Sequence, residues 1–166
     1  MFKRLMPNLI VESVFDITPL LLNSKGIKGI LLDIDDTLVA HGGFDINNNV
    51  VDWLSMMKQN GFKIMLISNN SKNRVSQFSK TFDLPYISRS LKPFKFPFSK
   101  AKRLFKLKSS ELCMVGDQIF MDILGANNAK VYSVLVTPLS IRKGITIKAR
   151  RYFEKPIIRK YELEIK

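Results

Sequence analysis

Acids are scarce in this chain: 14 Asp and Glu stand against 27 Lys and Arg in 166 residues, a formal net charge of +13. Cysteine and histidine are scarcer, with one of each. A single thiol excludes an internal disulfide framework and fits a reducing compartment. Cys113 lies in the apolar run Glu111-Leu112-Cys113-Met114-Val115 and reads as a buried strand residue rather than a reactive thiol. His41, in His41-Gly42-Gly43, reads as a solvated loop histidine, with a contact to substrate as the alternative. No apolar run has the roughly 20 residues that span a bilayer. Lys3 and Arg4 precede apolar residues, but Glu12 and Asp16 interrupt that apolar stretch and no small-residue cleavage site is present. The expectation is a cytoplasmic chain without a signal peptide. No repeat, low-complexity tract or linker divides the sequence, and its length suits a single domain over residues 1–166.

The surplus of cations is uneven. Lys72 to Lys108 holds eleven Lys and Arg against one acid, Asp83, and Arg142 to Lys166 holds nine against three. A field of that size attracts polyanions: nucleic acid, anionic lipid headgroups or phosphorylated small molecules. Solvated basic helix faces account for it equally well, since no aromatic-basic interleaving or nucleic-acid module organises these charges. The segment Leu5 to Phe15 has apolar residues at near-helical spacing beside basic ones. It either lies on a membrane surface or packs on the sheet as core. Glu12 and Asp16 favour the second reading.

Hydrophobic periodicity predicts strands at Ile30–Leu32, Lys63–Ile67, Tyr86–Ser88, Leu112–Val115 and Val131–Val136. It predicts helices at Asn49–Asn60, Lys72–Phe82, Phe98–Leu107, Gln118–Asn127 and near Ile145–Glu154. Gly61 reads as a helix stop, Ser71 as an N-cap and Pro156 as a bar to continuing the last helix unkinked. This alternation implies an α/β fold, a doubly wound Rossmann-like parallel sheet with helices on both faces. In such sheets ligands bind beyond the carboxyl ends of the strands. Asp33 and Asp35, Ser68-Asn69-Asn70, Lys92, and Gly116-Asp117 with Asp122 one turn later would therefore gather on one edge.

Carboxylates at the mouth of an apolar strand repel one another unless a cation neutralises them, and a hard oxygen-loving ion such as Mg²⁺ suits them. The set suits phosphoryl transfer. Asp33 is the candidate nucleophile, forming an aspartyl-phosphate, and Asp35 the acid and base for the leaving oxygen and the attacking water. The candidate metal ligands are Asp33, Asp117, Asp122 and Asp35, the last through its main-chain carbonyl. Ser68 and Asn69 stand on the substrate side with Thr37, which stiffens the loop, and Lys92 balances charge on the phosphoryl oxygens.

These residues resemble the four motifs of the haloacid dehalogenase-like (HAD) phosphatases: Asp33-Ile34-Asp35-Asp36-Thr37, Ser68, Lys92, and Gly116-Asp117 with Asp122. The resemblance implies a Mg²⁺-dependent phosphatase, and the presence of Asp35 sets the chain apart from the dehalogenase branch. Leu5-Met6-Pro7-Asn8, Lys92-Pro93 and the stretch from Val115 to Asn127 look like the YqeG-like group of subfamily IIIA, over nearly the whole chain. Relatives of that group include mitochondrial phosphatidylglycerophosphate phosphatases, which suggests a phospholipid headgroup as substrate. Asp36 stands where Asn is frequent, and Met121 where Thr is frequent. The short spacings from Thr37 to Ser68 and from Ser68 to Lys92 leave no room for a large cap domain, so the site should be open to a bulky substrate. Expected partners are a phosphorylated lipid headgroup or macromolecule and an anionic membrane at the periphery. The competing reading is a basic adaptor that binds nucleic acid or ribosomes.

Overall fold

The computed structural model describes residues 2–140 and 145–165. In chain order the main elements are β1 (Leu9–Val11), α1 (Pro19–Ser24), β2 (Gly29–Leu32), α2 (Asn48–Gln59), β3 (Lys63–Ile67) and α3 (Lys72–Phe82). They continue as β4 (Tyr86–Ile87), α4 (Phe96–Phe105), β5 (Leu112–Gly116), α5 (Leu124–Asn128), β6 (Tyr132–Val136) and α6 (Ile145–Ile165). The six strands form one sheet in the order β1-β6-β5-β2-β3-β4, with every pairing parallel.

Side chains of the strands alternate between two cores, as the pleat requires. Ile30, Leu32, Ile64, Leu66, Cys113 and Val115 pack with Leu22 of α1, Trp53 and Met57 of α2, and Val75 and Phe78 of α3. Leu31, Met65, Ile67, Leu112 and Met114 face the other way, onto Phe98, Ala101 and Phe105 of α4. Helices thus cover both faces, the doubly wound arrangement expected. Burial pushes the Cys113 thiol up to about 12, so the strand reading of this residue holds.

The chain runs outward from β2 to β3 and β4, then returns to the opposite flank of β2 as β5. The reversal opens a crevice at the carboxyl ends of β2 and β5. Leu32 pairs in register with both Leu66 and Val115, so the residues leaving these strands emerge level with one another. The connection from β2 to β3 carries α2, and that from β3 to β4 carries α3; neither holds a cap.

Three features depart from the periodicity reading. Leu9–Val11, read as near-helical, is an edge strand paired with β6. The edge is sealed by Asn8, whose Oδ1 accepts from the backbone N–H of Ser133 at 2.9 Å. Three residues are too few for a period-2 pattern to show. The helix after β5 opens with a π-helical turn, Ile119–Ile123, before α5. The last helix runs through Pro156 to Ile165 rather than stopping near Glu154. Its second half is docked: Ile157 is buried with Leu5, Ile119, Ile123 and Leu135, and Tyr161 Oη accepts from the N–H of Ile10 at 3.1 Å. That burial offsets the hydrogen bond proline removes. Ile157→Ala is expected to lower the unfolding free energy by about 2–4 kcal/mol in urea titration. Phe153→Ala, at an exposed position of the same helix, is expected to change it by less than about 0.5 kcal/mol.

Candidate active site

Lys92 is the buried centre of the crevice. Its Nζ lies 2.8 Å from Asp33 Oδ1, 2.6 Å from Asp122 Oδ1 and 2.9 Å from the carbonyl of Ile67. Three strand ends therefore meet on one ammonium. Burial alone would discharge that ammonium, but the carboxylates of Asp122 and Asp33 outweigh it and hold the Lys92 pKa above its ordinary value. Burial pushes Asp33 up to about 6, against the pull of Lys92 and with the help of the charge on Asp122.

Local structure explains how each group arrives. Asp33 continues β2, its N–H donating to the carbonyl of Val115 at 3.0 Å. Asp122 folds back over Gly116: a Cβ there would sit 2.4 Å from the Asp122 carboxyl carbon, so the position admits no side chain. The π-helical turn aims Asp122, whose Oδ2 accepts from the N–H of Gln118 at 3.1 Å. Asn69 brackets the Lys92 backbone: Oδ1 accepts from the N–H of Lys92 at 2.9 Å and from Ser90 Oγ at 2.7 Å, and Nδ2 donates to the Lys92 carbonyl at 3.1 Å. Asp36 has a φ of 60°, a left-handed conformation that Asn and Asp tolerate better than most residues, which accounts for either at this position.

Asp33, Asp35, Ser68, Asn69, Lys92 and Asp122 line a pocket of about 180 Å³ together with His41, Asn70, Gln118 and Met121. His41 is half exposed, with Nδ1 3.5 Å from Asp35 Oδ1, so the loop histidine does reach the site. Thr37 is buried but not part of the lining, and Asn69 lines it with both amide atoms engaged by the Lys92 loop. Asp33, Asp117 and Asp122 are all buried, and each offers a carboxylate oxygen within 4.8 Å of the others. An all-oxygen donor set of this kind fits a hard divalent cation. The Asp35 carboxylate stands apart from that cluster. Its Oδ1 accepts from Arg74 Nη2 at 2.7 Å and from the N–H of Gly42 at 3.1 Å, and its Oδ2 accepts from Arg74 Nε at 3.3 Å and from Asn70 Nδ2. Burial raises the Asp35 pKa, but these donors, Arg74 foremost, more than reverse it and hold the group below its ordinary value. Arg74 is a site residue that sequence reasoning misses, because it belongs to no strand end. Its place one turn after the Ser71 cap, on the helix that follows β3, is the signal that points to it.

Comparison with known proteins is consistent with this geometry. A family model described as HAD-hydrolase-like matches residues 91–143. The chain is also 33% identical over 156 residues to the probable phosphatase YqeG of Bacillus subtilis, covering 94% of this chain and 91% of that one. The chain belongs to the HAD-like phosphatases, with YqeG. As an HAD-like phosphatase it shares its fold with an uncharacterized protein from Listeria monocytogenes at a TM-score of 0.57 and 18% identity, over 71% of this chain and 85% of that one. It shares the fold likewise with the cobalt-bound deoxy-D-mannose-octulosonate 8-phosphate phosphatase of Haemophilus influenzae, at a TM-score of 0.52 and 13% identity, over 83% and 91% of the two chains.

The raised pKa of Asp33 carries a sign. Because it lies near 6 in the folded HAD domain and at 3.8 ordinarily, the metal-free protein is expected to lose stability as pH rises between about 4 and about 6. A divalent cation must displace that proton, so its binding is expected to tighten over the same interval and level off above it. Thermal melting with and without Mg²⁺ at pH 5 and pH 7.5 measures both effects. An equal Mg²⁺-induced rise in Tm at the two pH values would contradict the assignment.

Proposed function

We propose that this HAD-like phosphatase is a Mg²⁺-dependent phosphomonoester hydrolase that works through an aspartyl-phosphate on Asp33, with its phosphate presented on a bulky anionic substrate such as phosphatidylglycerophosphate. The observation that carries the reaction is the Asp33 carboxylate, in the pocket lining and fixed from within by buried Lys92. An Asp33 oxygen attacks phosphorus and the bond from phosphorus to the leaving oxygen breaks. Asp35, protonated in only a minor fraction of molecules because Arg74 holds its pKa low, gives its proton to that oxygen and the alcohol departs. Water then attacks phosphorus and yields a proton to Asp35, the bond from phosphorus to Asp33 breaks, and inorganic phosphate leaves. The Ser68 hydroxyl donates to a phosphoryl oxygen, and Lys92 balances the charge gathered there. Asp33, Asp117, Asp122 and the main-chain carbonyl of Asp35 would hold a Mg²⁺, which when bound would supply the positive charge that lets a phosphate dianion approach a carboxylate.

The pocket's size and rim support the substrate reading. A volume of about 180 Å³ is below the range of roughly 300–1,000 Å³ typical of sites that enclose a whole small molecule, so the body of the substrate lies outside. At the carboxyl edge of the sheet, the edge that holds the pocket, the connections that leave β2, β4 and β6 carry Phe44, Leu91, Phe94 and Leu139, with Phe96 at the start of α4, each more than half exposed. Arg89 and Lys95 stand among them. An apolar rim with cations beside a phosphate-sized pocket suits the surface of an anionic membrane. No described helix is long and apolar enough to cross a membrane. The nucleic-acid adaptor is the weaker reading, because it leaves the buried carboxylates and Lys92 without a task.

Phosphate release from phosphatidylglycerophosphate vesicles and from soluble phosphomonoesters tests the proposal. Release is expected to require Mg²⁺, to stop with EDTA, and to fall at least about 10³-fold in Asp33→Asn. Activity of Asp33→Asn near wild type would remove the nucleophile. Phe94→Ser with Phe96→Ser is expected to weaken flotation with phosphatidylglycerol vesicles while sparing soluble substrates; wild type that fails to float would remove the membrane.

A further inference from the structure

Arg74 has no part in the reaction as written, yet its surroundings are specific. Nη2 and Nε grip the two oxygens of Asp35 at 2.7 Å and 3.3 Å, and Nη2 also donates to the carbonyl of Gly43 at 2.9 Å. Its guanidinium carbon lies 4.8 Å from the ring centroid of Phe44 and 5.2 Å from that of Phe78. Those rings stack on each other at 5.7 Å with 3° between their planes. At its base, the N–H of Arg74 donates to Ser71 Oγ at 3.4 Å in the first turn of α3. One side chain therefore joins α3, the loop from His41 to Phe44, and the carboxylate of Asp35.

We propose that Arg74 is the positioning residue of this phosphatase: it holds the Asp35 carboxylate, and the loop that shields it, in the orientation from which Asp35 serves the leaving oxygen. The two oxygens of Asp35 are not equivalent. Oδ1 takes the shorter Arg74 bond and the N–H of Gly42, both from groups fixed to the loop or the helix. Oδ2 takes the longer Arg74 bond and the amide of Asn70, which itself lines the pocket. A guanidinium suits this task because its planar fork meets both oxygens at once and packs on aromatic rings; an ammonium offers neither. Arg74 does not line the pocket and acts only through Asp35.

The inference rests on the proposed role of Asp35 toward the leaving oxygen, and leaving-group dependence tests it. Glycerol 2-phosphate needs a proton on its departing alkoxide, whereas p-nitrophenyl phosphate releases a stable phenolate without one. Arg74→Ala is expected to lower kcat/KM, which runs only as far as departure of the leaving oxygen and leaves out the later attack of water, about 10²-fold on glycerol 2-phosphate and less than about threefold on p-nitrophenyl phosphate. Arg74→Lys, which keeps the charge and loses the fork, should resemble Arg74→Ala. Equal losses on the two substrates, no loss, a gain, or a wild-type ratio in the lysine variant would each overturn the assignment. Should Arg74→Ala fail to fold, Phe44→Ala takes its place: this removes one exposed ring of the stack, and a smaller loss with the same selectivity supports the proposal, while an unselective one overturns it. Asp35→Asn separates the two claims. A selective loss there beside an unselective one in Arg74→Ala defeats Arg74 alone, and an unselective loss in Asp35→Asn defeats the reading of Asp35 and the Arg74 inference with it.

Discussion

A buried ammonium between two buried carboxylates organises this molecule. Lys92 reaches the nucleophile candidate at the end of β2, the carbonyl of Ile67 at the end of β3 and the acid carried by the turn after β5. Taking such charges out of water is unfavourable, and each pairing only offsets the desolvation of the others. Removing one member would leave uncompensated charge in the interior, at about 3–5 kcal/mol. The strand ends are consequently held at one level, and the charges that line the pocket are in place before any ligand arrives. Such preorganisation suits a reaction whose barrier falls chiefly by electrostatics.

The acidic pocket sits in a strongly cationic chain, and the two fields have different ranges. The net charge of +13 acts over a Debye length of about 8 Å at physiological salt and draws anions toward the surface. The carboxylates act only at contact, where Lys92 and, on the proposed mechanism, a divalent cation would reverse their sign for an arriving phosphate. On the proposed mechanism, capture and chemistry would thus fall to different residues, the first mostly exposed and the second buried.

Much of this is legible in the sequence, for definite reasons. The five predicted strands are each found within a residue or two, because central parallel strands are continuous apolar runs bounded by turns. Asp33, Lys92 and Asp122 meet as expected because strand order and register carry strand-end residues to one edge. Edge strand β1 and helix α1 are not legible: each is too short for its period to repeat, and α1 is declared mainly by its Thr18 cap and Pro19. The continuation of α6 past Pro156 is hidden because the compensation is tertiary, through Ile157 and Tyr161. Arg74 is hidden for a related reason. Its partners Asp35, Gly43 and Phe44 lie 30 to 39 residues away in sequence, so its one local mark is its place a turn after the Ser71 cap.

The burial of Cys113 reaches further than packing. Its thiol, on the central strand β5 with a pKa raised to about 12, presents no thiolate to an oxidant, and the proposed nucleophile is an oxygen. Among the described pocket residues the one sulfur is the thioether of Met121, 3.9 Å from Asn69 Nδ2 beside the Lys92 loop. Peroxide entering the pocket would thus find its target in a thioether, where oxidation adds a polar oxygen that methionine sulfoxide reductases remove. Sulfur oxidation in this pocket would therefore be a reversible lesion of its lining.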